Sequence, residues 1–173
     1  PRDGEHVVAY HGYQTSRGFY DFLRAIPRPV RVYGANLSRN DGNLEFKTHS
    51  ENAFLSDLAT CAYVVCGGGH TMISEALYLG KPLLVIPIRG AFEQFLNAHY
   101  VSNLGYGRYD EGLAPPAELV PVMEAGLEGF RRHIRTENFC GNDEAFHLLD
   151  TFIEKKTLTG APTASNVSQP CAS

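Results

Sequence analysis

Residues 63–82 read YVVCGGGHTMISEALYLGKP, and they join an apolar, β-rich run to a helical pattern through three consecutive glycines. Glycine has no Cβ, so its backbone can approach a ligand closely. The start of the helix adds unpaired N–H groups and the positive end of the helix dipole. Gly80 and Pro82 are typical of a helix end. The stretch therefore predicts a buried strand, a phosphate-binding loop and a helix in succession.

The predicted helix has two different faces. Apolar or small residues recur at helical spacing on one side, and we expect them to pack on a sheet: Ile73, Ala76, Leu77 and Gly80. Thr71 and Glu75, four residues apart, share another side. A carboxylate there suits a pair of ribose hydroxyls, for which it is a strong acceptor. A solvated residue near the helix start is the alternative, and helix physics alone does not decide between them.

A second informative stretch follows at once. Residues 82–98 read PLLVIPIRGAFEQFLNA, a buried strand leading through a loop into another helix. An apolar face of this helix is formed by Phe92, Phe95, Leu96 and Tyr100. Glu93, Gln94 and Asn97 lie off that face, near the end of the preceding strand, where such side chains could read sugar hydroxyls. The plainer alternative is that Glu93 caps the helix and Gln94 is solvated.

Short β-rich runs alternate with helical patterns along the rest of the chain. We predict strands at residues 7–10, 30–33, 44–47, 63–66, 83–88 and 106–109. Helices are predicted at residues 17–25, 51–59, 71–79, 92–103, 116–130 and 143–154. This alternation indicates an α/β fold, a Rossmann-like doubly wound parallel sheet of about six strands with helices on both faces. Ligands bind such sheets at the carboxyl ends of the strands, which here lead into loops containing His11 and His49.

Composition excludes several classes of function. The chain has 173 residues, of which 43% are hydrophobic, and its net charge of −4 gives no basic footprint for nucleic acid. No apolar run approaches the roughly 18 residues of a membrane span, and peripheral membrane contact through a partner domain stays open. We expect a cytoplasmic protein because the cysteines favour reduced thiols. No Walker pattern and no G-x-S-x-G elbow are present.

The four cysteines, Cys61, Cys66, Cys140 and Cys171, are irregularly spaced, which favours reduced thiols. Cys61 and Cys66 are an odd number of residues apart along a predicted strand, so their side chains should point to opposite faces. On that geometry a metal site with His70 is not expected, and no metal cofactor is predicted.

The two stretches together resemble the C-terminal domain of GT-B glycosyltransferases of the UDP-glycosyltransferase and MurG types. The shared pattern is G-G-G-H-T-x-x-x-E-A-L-x-x-G-K-P at residues 67–82, followed by P-x5-E-Q-x2-N-A at residues 87–98. The tandem is far more specific than either motif alone, and the preceding strand order extends the match to about residue 155. The resemblance implies half of a GT-B fold that binds the nucleotide diphosphate of a UDP-sugar.

The resemblance also implies site residues. Glu75 would hold the ribose hydroxyls, and Gly68, Gly69, His70 and Thr71 would bind the diphosphate, mainly through backbone N–H groups. The donor sugar would meet Glu93 and Gln94, and His49 would lie in the loop beside the base. The first loop would close over the phosphates through Gly12, Thr15 and Ser16. The chain departs from plant-type members, whose histidine lies eight residues before the glutamate, where this chain has Gly67.

We therefore expect a donor-binding domain at residues 1–155, followed by a disordered tail at residues 156–173. The catalytic base is not identified in this chain, and an N-terminal acceptor-binding domain is expected to supply it. The domain should bind a UDP-sugar yet transfer no sugar alone. Two alternatives stay open: a donor-site subunit of a split N-acetylglucosaminyltransferase that docks on a separate acceptor subunit, and a UDP-sugar epimerase half-domain.

Overall fold

A computed structural model describes residues 3–10, 17–48, 50–112 and 115–159. The described residues form two compact units, which are divided between Phe139 and Cys140. In its described part the second unit consists mainly of one helix, α6 (Asn142–Thr159), which extends past the boundary expected at residue 155. The division into a domain and a tail stays a prediction.

The first unit contains one sheet and five helices in its described residues. The strands are β1 (Val7–Tyr10), β2 (Val30–Tyr33), β3 (Arg39–Asp41), β4 (Leu44–Phe46), β5 (Val64–Cys66), β6 (Leu83–Val85) and β7 (Gly107–Tyr109). The helices are α1 (Arg17–Arg24), α2 (Glu51–Thr60), α3 (His70–Tyr78), α4 (Phe92–Asn103) and α5 (Leu119–Arg135). The helix predicted at residues 116–130 thus begins three residues later and continues five residues further.

The strand order is β3-β4-β2-β1-β5-β6-β7, and every neighbouring pair except β3 with β4 is parallel. Strands β2, β3 and β4 lie on one side of β1, and strands β5, β6 and β7 lie on the other side. The carboxyl ends of β1 and β5 therefore flank the switch point, where a doubly wound sheet binds its ligand. The predicted fold class is confirmed.

The described part of the sheet has seven strands rather than about six, because β3 was missed. Its three residues are polar, and β3 pairs antiparallel with β4 through a turn in which Gly42 has a φ of +63°. A three-residue polar strand carries neither an apolar run nor a period-2 alternation, so hydrophobic patterning does not detect it.

Two apolar cores cover the two faces of the sheet, because side chains alternate along each strand. Val7 and Ala9 of β1 face one core, and Val8 faces the other. Helices α1 and α5 cover the first face, and helices α2, α3 and α4 cover the second. Helices on both faces explain why the strands read as continuous apolar runs.

The expectation for the two strand cysteines was wrong. Cys61 is the C-cap of α2 and precedes β5, so the alternation along a strand does not apply to it. Cys61 and Cys66 are both buried in the same core, under α2 and α3, and the Cys61 thiol donates to the Leu58 carbonyl oxygen at 3.2 Å.

Candidate donor-nucleotide site

The switch point lies where the sequence predicts the phosphate loop. Strand β5 ends at Cys66 beside β1, and the three glycines lead directly into α3. Burial raises the pKa of the Cys66 thiol to about 11, so this group is a neutral core thiol rather than a nucleophile. The predicted residues Gly12, Thr15, Ser16 and His49, together with His11, lie outside the described residues.

Gly68 joins the loop tightly to α4. Its φ is +88°, a conformation that side-chain-bearing residues rarely adopt. A Cβ at this position would lie 2.9 Å from the Gln94 carbonyl oxygen and 3.0 Å from a methyl group of Val85. The glycine loop and the first turn of α4 are therefore closely packed.

The N-terminus of α3 has no side-chain cap. Its N-cap is Gly69, and the first helical hydrogen bond runs from the Ile73 N–H to the Gly69 carbonyl at 3.2 Å. His70 and Thr71 open the helix and are exposed. The N–H groups of the first turn have no acceptor within the helix, so they can donate to an anion at the open edge of the sheet.

The two predicted faces of α3 are confirmed. Ile73, Ala76 and Leu77 are buried against the sheet. Glu75 is half-buried, one helical turn after the exposed Thr71. The carboxylate therefore lies about one turn from the unpaired N–H groups of the helix start.

The start of α4 differs from the simple capping hypothesis. Its N-cap is Ala91, which has no side chain able to cap, and the Ala91 N–H donates to the Ile88 carbonyl at 3.0 Å. Glu93 is exposed in the first turn. The Gln94 side-chain oxygen accepts from the Ile88 N–H at 3.0 Å, so Gln94 stabilises the loop before α4, and its amide N–H₂ donates to none of the described residues.

Asn97 belongs to the second motif and is one of the side chains expected to read sugar hydroxyls, but the resemblance implies no ligand contact for it. Its side-chain amide is half-buried and donates to the Gly68 carbonyl oxygen at 3.1 Å. The sequence signal was present, because Asn97 lies one turn after Glu93, off the apolar face of the helix. What the spacing did not show is that the amide contacts the glycine loop.

The apolar face of α4 does not pack on the sheet. Ala98 and Val101 make that contact, while Phe92 and Tyr100 are 74% and 56% exposed. Phe95 stacks on His99 and meets Tyr109 edge-on, forming a partly exposed aromatic group. The face recognised as apolar in the sequence is therefore a surface of the described molecule.

A partly buried charge cluster ties α2 to β2 and to the residue that follows β4. The Asp57 carboxylate accepts hydrogen bonds from the Tyr33 hydroxyl at 2.6 Å, Arg31 Nη1 at 2.6 Å and Lys47 Nζ at 2.8 Å. Burial alone would raise the Asp57 pKa, but the hydrogen bonds from Lys47 and Tyr33 and the charge of Arg31 lower it overall. The cluster fixes Lys47, which directly precedes the loop at residues 48–50.

The family model described as Glycosyl transferase family 1 matches residues 1–119 of the chain. The chain belongs to this family. The glycine-rich motif at residues 67–82 and the E-Q motif at residues 87–98 both lie within the matched residues. The resemblance to GT-B glycosyltransferases is confirmed.

Curated relatives of this family 1 chain are also glycosyltransferases. An uncharacterized glycosyltransferase of Methanosarcina acetivorans is 38% identical over 96 residues, which cover 54% of this chain and 25% of the relative. The Bacillus cereus UDP-N-acetylglucosamine–N-acetylmuramyl-(pentapeptide) pyrophosphoryl-undecaprenol N-acetylglucosamine transferase 3 is 44% identical over 52 residues, 28% of this chain and 15% of that protein. The matches therefore span a quarter or less of these relatives.

Solved structures share the fold of this family 1 chain. The spinosyn rhamnosyltransferase SpnG aligns with a TM-score of 0.61 and 22% identity over 77% of this chain and 40% of its own. The calicheamicin glycosyltransferase CalG4 aligns with a TM-score of 0.60 and 23% identity over 88% of this chain and 44% of its own. In the described part of the chain, no helix is long and apolar enough to cross a membrane.

Proposed function

We propose that this family 1 chain is the donor-binding half of a GT-B glycosyltransferase and that it binds a UDP-sugar at the carboxyl ends of β1 and β5. One observation carries the proposal: the uncapped N-terminus of α3 follows a tightly packed glycine loop at the switch point of the sheet. The name of the Bacillus cereus relative includes UDP-N-acetylglucosamine, which supports a uridine nucleotide here.

In this proposal, different residues contact the diphosphate, the ribose, the sugar and the base of the donor. The diphosphate lies on Gly68, Gly69, His70 and Thr71, mainly on backbone N–H groups at the positive end of the α3 dipole. Glu75 accepts hydrogen bonds from the ribose hydroxyls. Glu93 and the free amide of Gln94 contact the sugar, while Gly12, Thr15 and Ser16 close over the phosphates and His49 lies beside the base.

The chemistry follows from this placement. Glycosyl transfer leaves the nucleotide diphosphate with additional negative charge, and N–H groups fixed before the reaction stabilise that charge. The acceptor hydroxyl also needs a base. We assign the base to an N-terminal acceptor-binding domain, so the chain alone binds the donor and transfers no sugar.

Binding can be tested directly by titrating the chain with UDP in a calorimeter, with a thermal-shift assay in parallel. We expect saturable binding and a higher melting temperature, because a ligand that binds only the folded state stabilises it. Neither heat nor a thermal shift at millimolar UDP would contradict the proposal.

The ribose contact has its own test. Glu75→Gln should weaken UDP binding about 20-fold, the loss expected when a charged hydrogen-bond acceptor is removed. The matched control is Glu118→Gln, an exposed carboxylate at the start of α5. If Glu75 reads the ribose, 2′-deoxy-UDP should bind the wild type weakly and bind Glu75→Gln no worse than UDP does. Equal discrimination against 2′-deoxy-UDP by both proteins would remove Glu75 from the ribose site.

A second candidate function is a donor-site subunit that docks on a separate acceptor-binding protein. The exposed apolar face of α4 favours it, because contiguous exposed apolar surface is typical of interaction sites. Product analysis separates the functions: sugar transfer after addition of a separate acceptor protein supports the subunit, and conversion of the UDP-sugar to its epimer supports an epimerase half-domain.

A further inference from the structure

We propose that Asn97 is a positioning residue that sets the orientation of the Gly68–Gly69 peptide and thereby directs the Gly69 N–H toward the diphosphate. The inference rests on the proposed function, because it concerns how the same loop binds phosphate. In this inference Asn97 acts on the glycine loop and does not contact the donor sugar.

The geometry starts from the hydrogen bond between Asn97 Nδ2 and the Gly68 carbonyl oxygen, 3.1 Å long. In a trans peptide the C=O of one residue and the N–H of the next point in opposite directions. Because the Gly68 carbonyl is held toward α4, the Gly69 N–H points away from α4. A Cβ at Gly69 would meet no atom of the described residues within 4 Å, so within this part of the chain the residue borders open space.

The loop needs such a restraint because of its glycines. Glycine populates positive and negative φ about equally, so the peptide between Gly68 and Gly69 can rotate at little steric cost. Gly68 itself is packed against Gln94 and Val85, which fixes its position but not the direction of its carbonyl. The Asn97 amide supplies that direction and selects one of the two peptide orientations.

The neighbouring Gln94 completes the support. Its side-chain oxygen accepts from the Ile88 N–H at 3.0 Å, which ties the loop after β6 to α4. The first and second turns of α4 therefore hold both loops of the donor site, one through Gln94 and the other through Asn97. The two side chains face the loops because they lie three residues apart on the helix.

The test compares Asn97→Ala with Asn103→Ala, a residue of the same helix whose amide bonds only within α4, to His99 at 2.8 Å. We expect Asn97→Ala to bind UDP about tenfold more weakly, equivalent to one lost hydrogen bond at the loop. Uridine, which has no phosphate, should bind Asn97→Ala as it binds the wild type. Asn103→Ala should bind both ligands normally.

A second variant and a second measurement separate positioning from folding. Asn97→Asp keeps the shape but cannot donate, so it should show the same selective loss of UDP affinity, with added repulsion of the phosphates. In amide NMR spectra, UDP should shift the Gly69 resonance of the wild type and not that of Asn97→Ala. If Asn97→Ala binds UDP within twofold of the wild type, or loses UDP and uridine equally, the inference is wrong. A wild-type chain that binds neither ligand overturns the proposed function as well.

Discussion

Gly68 is the residue at which the donor loop is most constrained, since positive φ and contact with the Gln94 backbone coincide there. Gly68→Ala should destabilise the fold by about 2 kcal/mol, because the new Cβ both strains the backbone and meets an atom that cannot move aside. Urea unfolding measures this loss, and UDP binding should weaken in parallel.

The neighbouring glycine provides the control for stability. Gly69 has a φ of −63° and open space where a Cβ would be placed. Gly69→Ala should therefore cost much less stability than Gly68→Ala, about 0.5 kcal/mol, which is the loss expected because alanine is a poorer N-cap than glycine. Equal losses of unfolding free energy for Gly68→Ala and Gly69→Ala would show that the close approach of Gly68 to α4 does not cause the destabilisation of Gly68→Ala.

His6 gives the fold a pH dependence. The ring is buried, its Nε2 lies 2.9 Å from the Asp57 carbonyl oxygen, and burial, reinforced by the nearby charge of Arg31, lowers its pKa below 6.5. Between the folded and unfolded pKa values the unfolded chain binds more protons, so stability falls as pH falls from about 7 through this window, by at most about 1.4 kcal/mol per pH unit for one proton. His6→Gln should flatten the profile measured by urea unfolding at pH 5, 6 and 7, and an unchanged slope would assign the effect to other groups.

At the scale of single residues, the sequence predicted those features that depend only on spacing within one element. The faces of α3 followed from the 3.6-residue period, which places Glu75 away from Ile73 and Ala76. The Asn97–Gly68 hydrogen bond and the Asp57 cluster could not be predicted, because they join residues from different elements. Such contacts depend on how the elements pack, which spacing within one element does not specify.

At the scale of elements, α4 packs on the sheet through one narrow buried face, and its other faces are exposed or half-buried. Val101 and Ala98 are its buried residues, while Tyr100 is 56% exposed. Val101→Ala should cost about 2 kcal/mol of stability, since it removes buried methyl groups and leaves a cavity. Tyr100→Ala, one position away, should change stability by less than about 0.5 kcal/mol. Thermal and urea unfolding measure both, and a large loss for Tyr100→Ala would mean that the aromatic face stabilises the fold.

The predicted elements agree with the structure where a hydrophobic period is strong. Helix α4 has the bounds expected from the sequence, residues 92–103. Strand β6 ends at Val85, before the end of the apolar run that predicted it, although the Ile86 N–H still donates to the Cys66 carbonyl oxygen at 2.8 Å. Apolarity continues there since Ile86 still packs in the core, so composition alone could not mark the end of the strand.

At the scale of the whole molecule, the chain corresponds to part of its relatives. The aligned residues amount to 25% of the Methanosarcina acetivorans protein and about 40% of SpnG. The tandem of the two motifs predicted this correspondence, because the two motifs follow the neighbouring strands β5 and β6 at one edge of the sheet. The acceptor and the sugar could not be predicted, since in our proposal the acceptor site lies outside this chain.

The short polar strand β3 has a consequence for how copies of this molecule behave in concentrated solution. An open sheet edge is a template for the addition of further strands, and long, flat, apolar edges promote aggregation. Here the edge is three residues long and consists of Arg39, Asn40 and Asp41, with the Arg39 guanidinium over the Phe46 ring. Charged side chains and short length oppose edge-to-edge pairing, so this end of the parallel sheet is protected from growing into fibrils.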